Sequence, residues 1–410
     1  MARTARDIGQ EAARLGLLAL LTGCAAMQDP PGGPPDFTPP ILLDTRPDSG
    51  AVVPDYRSRA VFQFDEVIDE RSGGGLIQLF VLSPRPEKLE VSWKRTRIEV
   101  RPDGGWQPGV IYHLTLLPGI TDLSNNRREE RTQVVFSTGG EIPDTRLGGT
   151  ILNWNDGRAA PRGLVEAVLL PDSLVYLATA DSVGDFTLSA LPPGEYQVFA
   201  TVDENNNRRR DRREPYDSLA VTLDSSFSGV FWAFIHDTVG PQLRSATRLD
   251  SVTVQLDFNQ KLYPGEPDSA AVTMQQLPDS TPVSVAAVWL PEVYDSVKAV
   301  EAAAAAAAAR AAADTAVGDT VTPAAADTVE PDRPVPLPVE EVEAPPDTNR
   351  ITLLLAERPP LEDRWVIRLA APLAPGSRYL IETRTANVNG AIGESRTLLI
   401  VPADTTAGGQ

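Results

Sequence analysis

The chain is 410 residues long, with 56 acidic against 37 basic residues and a formal net charge of -19. That length calls for two to four domains, and that charge argues against nucleic acid or an anionic headgroup surface as the main partner. One cysteine excludes intramolecular disulfides, and two histidines in separate segments, His113 and His236, exclude a Cys/His zinc cluster.

Arg3, Arg6 and Arg14 precede a short apolar run, Leu15 to Gly23. Its nine residues are too few to cross a bilayer core, which takes about 20 residues of helix. Leu21-Thr22-Gly23-Cys24 is an aliphatic residue, two small residues and cysteine. In this, residues 1–23 resemble a bacterial lipoprotein signal peptide. The resemblance implies cleavage before Cys24 and a diacylglycerol on its sulfur, so the membrane is an expected partner. Ala25, not aspartate, follows. By resemblance to a sorting rule of some Gram-negative bacteria, that implies the outer membrane, with the periplasmic or surface orientation left open. Residues 24–40 are rich in proline, which lacks the amide donor a sheet or helix needs. They read as a tether able to hold the next unit up to roughly 50 Å from the membrane in polyproline geometry, or as a leader with no spacing role.

From 41 to 140, strands of period two are broken by Pro, Gly and Asp turns, as in an antiparallel sandwich with one wet face. Phe62 and Phe64 share a face. Leu89, Val91 and Trp93 form another, and Ile98 with Val100 returns the chain as a hairpin. Val110, Tyr112, Leu114 and Leu116 alternate with Ile111, His113 and Thr115. Thr38-Pro39-Pro40, Phe64-Asp65-Glu66, Val81-Leu82-Ser83-Pro84, Gln107-Pro108-Gly109 with Tyr112, Ile120-Thr121-Asp122 with Asn125-Asn126, and Phe136-Ser137-Thr138-Gly139 resemble, in order and spacing, the bacterial Ig-like domain of the S-layer protein (SbsA-like) type. The resemblance implies a seven-stranded sandwich, no inherited catalytic site, and a spacer or interaction role in the cell envelope.

After a polar hinge at Glu141 to Arg146, a second unit spans 147–225. Gly184-Asp185-Phe186-Thr187-Leu188 followed by Leu191-Pro192-Pro193-Gly194-Glu195-Tyr196 resembles the carboxypeptidase-regulatory-like and collagen-adhesin B-type module, which implies a small transthyretin-like sandwich. Tyr196, Val198, Ala200 and Val202 form its buried face. The loop that follows carries oxygen ligands at calcium-loop spacing: Asp203, Asn205, Asn207, Asp211 and Glu214 fall at positions 1, 3, 5, 9 and 12 of the EF-hand pattern. Arg208 stands at position 6, where that pattern has a glycine with positive φ. Three readings stay open for the loop: bound Ca²⁺, a solvated hairpin whose Arg and Asp/Glu pairs neutralise each other, and an anionic-glycan contact through its five arginines.

The first theme returns over 233–402. Val254 to Gln260 echoes Val61 to Glu66, Ala374-Pro375-Gly376 with Tyr379 echoes Gln107 to Tyr112, and Ala386 to Gly390 stands where Asp122 to Asn126 stood. This is an internal repeat, a diverged second Ig-like copy in which Asn259-Gln260 replaces the acidic pair. An insertion, 292–349, interrupts it. Val300 to Ala313 should be helical, capped by Asp295 or Ser296, and Thr320 to Thr348 reads as disordered. Replacing a short turn by so long a loop costs only about 2.4 to 2.7 kcal/mol of closure entropy. Strands are expected to resume at Ile351 to Leu355 and Trp365 to Leu369, with the partner of Val283 to Leu290 undecided. Residues 403–410 form a tail.

The expected fold class is therefore all-β, three tandem β-sandwiches after a lipoprotein signal peptide. No Gly-x-Ser-x-Gly elbow, phosphate loop, Rossmann-type glycine fingerprint or His-Glu-x-x-His helix occurs. Asp65, Glu66, Asp69 and Glu70 could supply a glycosidase pair, but neighbours on a strand point to opposite faces, and no catalysis is expected. The reading is a lipid-anchored, non-enzymatic envelope protein whose sandwiches act as spacer, scaffold and interaction modules. The alternative is a calcium-assisted module that binds an envelope protein or glycan.

Overall fold

The computed structural model describes residues 35–316 and 346–403. The signal peptide, Cys24, most of the tether, residues 320–345 of the expected disordered stretch and the tail beyond 403 lie outside the described residues. Within them the chain is all-β and Ig-like, built as paired sheets around three hydrophobic clusters.

In the first sandwich one sheet runs in the order Leu42–Arg46, Ala60–Phe64, Arg97–Pro102, Leu89–Lys94, and faces a second of Phe80–Ser83, Ile111–Leu116 and Thr132–Ser137. The alternation of Ala60–Phe64 does what its pattern dictates: Phe62 and Phe64 are buried while Val61 and Gln63 are half-buried. The expected hairpin forms with Trp93 opposite Ile98. One expectation fails. All six residues of Ile111–Leu116 are buried, not every second one, because the second sandwich covers the face expected to be wet.

The second sandwich packs Arg158–Ala159, Arg146–Asn153 and Asp185–Ser189 against Leu174–Thr179, Leu164–Leu169, Gly194–Thr201 and Tyr216–Leu223. Tyr196, Val198 and Ala200 are buried as expected, with Val202 packed at the cluster's edge. The unit does not stop at 225. Ser226–Ala233 pairs in parallel with Arg146–Asn153 over eight register positions. Gly149 and Gly229 meet in that register, and a Cβ on Gly149 would lie 2.2 Å from the Gly229 carbonyl oxygen, so only glycine allows the two strands to approach.

The third unit repeats the first. Its sheet Leu243–Arg248, Thr253–Phe258, Arg364–Leu369, Val285–Trp289 has the same strand order, and its first pair carries a register shift at the same place as the first copy. Val285–Trp289 pairs with Arg364–Leu369, which settles its partner. Ile351 to Leu355 is not a strand: it closes a helix, Pro346–Leu355, whose Ile351, Leu354 and Leu355 lie on one face at helical spacing. Proline suits a first helical position because its missing N–H would be unpaired there anyway. The alanine helix likewise opens on a proline and spans Pro291–Ala316. Asp295 and Ser296 therefore lie inside it, and the Ser296 hydroxyl donates to the Glu292 carbonyl rather than capping an end.

Both joints between units are bonded. At the first, the Leu177 N–H donates to Ser83 Oγ at 2.9 Å, the Arg85 N–H to the Val175 carbonyl at 2.7 Å, and the Arg85 guanidinium to Glu166 at 2.6 Å. His113 packs edge-on to Tyr176, its Nε2 lying 3.2 Å from the Ala190 carbonyl. The polar stretch after Glu141 is thus bridged on both sides rather than left as a free hinge. At the second joint, the helix Pro346–Leu355 and Leu361, which belong to the third unit's excursion, cover Trp154, Trp232 and Phe234 of the second. The Arg358 guanidinium sits 5.0 Å from one indole and 4.9 Å from the other, and Trp154 Nε1 donates to the Pro359 carbonyl.

Candidate functional site

The strands Gly194–Thr201 and Tyr216–Leu223 pair with Thr201 opposite Tyr216, which ties both ends of the 203–214 loop together. All five residues expected to ligate calcium lie on this loop and share one hydrogen-bond network. Asp203 accepts from the N–H groups of Asn207 and Arg208, Asn205 from Asn207, and Asn207 from Arg209. The side-chain amides of Asn205 and Asn207 both donate to Asp211 Oδ2, at 2.8 and 3.0 Å. Glu214 is buried, its two oxygens accepting from the N–H groups of Glu204 and Asp211. Burial, with the charges of Asp203 and Asp211 added, raises the Glu214 carboxyl above its ordinary range despite those donors. Three carboxylates thus gather here, with the Arg208 charge near enough to interact with Asp203.

Arg208 meets the objection raised by the sequence. It takes φ 59, the left-handed conformation that costs a side-chain-bearing residue about 1–2 kcal/mol. Three bonds hold it there: its N–H to Asp203, its carbonyl from Arg85, and its guanidinium to the Gln78 carbonyl in the first sandwich. Arg210 is also turned out of the loop, stacked over Phe199 and Tyr216 and 3.8 Å from Glu166. Among the described residues, no arginine of the loop pairs with a carboxylate of the loop. The neutralised-hairpin reading is therefore not the arrangement found.

A second carboxylate group was only half legible. Glu66 forms no cluster with Asp69, which accepts from the Arg71 N–H, and Asp65, whose Oδ1 accepts from the Ile41 N–H, reaches it only through its charge. Glu66 gathers instead with Asp36 and Asp122, one oxygen from each lying within 4.8 Å of the others. Asp122 is buried and accepts from the N–H groups of Ser124 and Asn126 and from the Asn126 side chain. Desolvation first, then the charges of Asp122, Asp36 and Asp65, raise the Glu66 carboxyl. The third unit has neutral amides, Gln260 and Asn387, in place of Glu66 and Asp122, while Asp237 stands where Asp36 stood. There Asn387 Nδ2 donates to the carbonyls of Asp237 and Val239 and to Gln260 Oε1. The signal for Asp122 was present in the repeat, where Ala386 to Gly390 aligns with Asp122 to Asn126. Asp36 carried the same kind of signal, since Asp237 to Pro241 echoes Asp36 to Pro40, but nothing in the repeat said that the three carboxylates meet.

Residues 36–138 match the bacterial Ig-like domain family, which covers the first sandwich. No curated protein matches the chain in sequence. Among solved structures, the major pilin subunit BcpA of Bacillus cereus is 12% identical over 47% of this chain and 70% of its own, with a TM-score of 0.18. The alpha-2-macroglobulin of Escherichia coli, over its domains MG0-NIE-MG1, is 14% identical over 59% and 84%, at 0.18. The S-layer protein rSbsC is 8% identical over 96% and 56%, at 0.19. Likeness this slight carries no functional weight. What stands is a first sandwich similar to the bacterial Ig-like domain, in a chain whose fold is all-β and Ig-like throughout its described units.

Proposed function

We propose that the protein is a lipid-anchored, non-catalytic envelope lipoprotein of the outer membrane, whose sandwiches act as spacer, scaffold and interaction modules. The observation that supports this reading most is the pair of bonded joints. A chain of sandwiches cross-braced at Arg85–Glu166 and again at Arg358 between two tryptophans is suited to holding a fixed span. A lipobox cysteine at the N-terminal end suits it to standing off a membrane. Labelled-palmitate incorporation with membrane fractionation tests the anchor. The wild type should label and the Cys24→Ser variant should lose the label entirely. Protease shaving of intact cells then reads orientation, with cutting in the 292–349 insertion expected only if the units face outward. A wild-type chain that takes up no lipid and stays soluble removes the anchor from this reading.

A second reading has its own support: calcium bound at Asp203, Asn205, Asn207, Asp211 and Glu214, ordering the loop for contact with a glycan or protein. Three carboxylates in mutual repulsion, one of them buried, gain from a dication that shares their oxygens. Millimolar calcium should raise the melting temperature of the wild type by several degrees. The shift should vanish in Asp203→Ala combined with Glu214→Ala. An unchanged melting curve in the wild type would sink it.

A further inference from the structure

A cleft of about 760 Å³ opens where the second and third sandwiches meet, lined in part by Arg210, Asp211 and Arg212 of the 203–214 loop. Its lining brings together Arg210 and Arg212, Tyr216 and His236, and Thr238 and Asn389 from the third unit. Part of the lining is held in place by a column of stacked groups. The Arg210 guanidinium lies 4.8 Å above the Tyr216 ring, Tyr216 stacks on His236 at 3.8 Å, and His236 on Phe234 at 4.1 Å. His236 Nδ1 lies 3.0 Å from the Phe234 carbonyl, which can only accept, so the proton sits on Nδ1 and Nε2 is left as an acceptor. Burial lowers the pKa of this ring, which keeps it neutral. Asn389 donates an amide N–H to the Asp237 carbonyl, and among the described residues its oxygen is left to accept. Arg212 is exposed and makes no ion pair among the described residues, in a protein of net charge -19. Asp211, also at the rim, is engaged by the amides of Asn205 and Asn207.

The geometry points to a binding site for a carboxylate-bearing saccharide unit. A guanidinium is a planar fork of donors that matches a carboxylate in two parallel bonds. Neutral acceptors and hydroxyls in the lining suit sugar hydroxyls, and the volume lies in the range of small-ligand sites. An acidic peptide would ask instead for pockets that take aliphatic side chains, and the lining holds no Leu, Ile, Val, Met or Phe to build one. The inference deepens the binding reading by naming a ligand class and a place for it, and it rests on the loop's fold rather than on calcium.

Titration calorimetry on the full chain in detergent tests it, with trigalacturonate, a hyaluronan hexasaccharide and N-acetylneuraminate as probes and maltotriose as the neutral control. At least one acidic probe should bind at least tenfold tighter than maltotriose. Arg212→Ala should weaken that binding tenfold or more with an unchanged melting temperature, and Thr238→Val, which leaves the Asn389 bond intact, should weaken it severalfold. No binding of any acidic probe at millimolar concentration, equal binding of maltotriose, or full affinity in Arg212→Ala would each overturn the site. Lipid labelling and the calcium-dependent melting shift are untouched by such a failure, so the readings can fail separately.

Discussion

Acidification from pH 6.5 to 4 should cost the joint between the first two sandwiches up to about 3 kcal/mol through His113 alone. The ring is almost wholly buried between the sheets, and desolvation pushes its pKa down to about 4, only partly offset by the Ala190 carbonyl. The folded protein thus holds a neutral imidazole where the unfolded chain would protonate near pH 6.5. Between those two values the unfolded state binds more protons, so stability falls as the pH drops and levels off below pH 4. Among the described residues Nδ1 has no hydrogen-bond partner, so a proton added there would have no acceptor. Chemical denaturation across this window should show the loss in the wild type, and the increment should be absent from His113→Phe, whose ring can keep the Tyr176 contact without titrating. Parallel pH curves for the two proteins would show that His113 is not the sensitive group.

Trp154→Ala should destabilise the second unit by about 3 kcal/mol or more, the usual cost of truncating a buried tryptophan, and release the excursion packed upon it. Trp154 holds three things at once. Its indole meets Trp232 and Phe234 edge-on, its Nε1 holds the Pro359 carbonyl, and its face carries the Arg358 guanidinium. Without it, Ile351, Leu354 and Leu355 lose much of the surface they cover. Limited trypsin digestion should then cut after Arg350 at least tenfold faster than in the wild type. The Arg350 pairing with Asp185 is exposed and would not hold the segment alone. An unchanged digestion rate would mean that the segment is fixed by other contacts.

How much of this could be read from residues alone depended on whether a pattern was local. The strands of the first sandwich were legible because Phe62 and Phe64, or Leu89 and Val91, alternate against polar neighbours, and the third unit was legible because it repeats them. Ile111, His113 and Thr115 are buried where one wet face was expected, because what covers that face, with Tyr176 and Ala190 against His113, lies far along the chain. Ile351 to Leu355 failed for the opposite reason. A short apolar run has no period of its own, and only the two tryptophans of another unit decide that it coils. At the candidate sites the 203–214 loop was visible as spacing on one segment. The grouping of Asp36, Glu66 and Asp122 needed the fold, and the cleft between Arg212 and Asn389 needed two folds side by side.

The parallel pairing of Arg146–Asn153 with Ser226–Ala233 bears on how the chain would answer to tension. The polypeptide enters the second sandwich along the first of these strands and leaves along the other, and they run side by side in the same direction. Drawing the two ends apart slides one strand lengthwise past its neighbour, so the ladder is stressed in shear and its bonds share the strain. The first sandwich is tied the same way, with Val52 bridged in parallel to Ser137 and the Gly50 and Val53 N–H groups donating to Val135 and Ser137. Where antiparallel end strands peel open one bond after another, these would have to give way together. A chain fixed at one end and pulled at the other would stay folded up to a higher force.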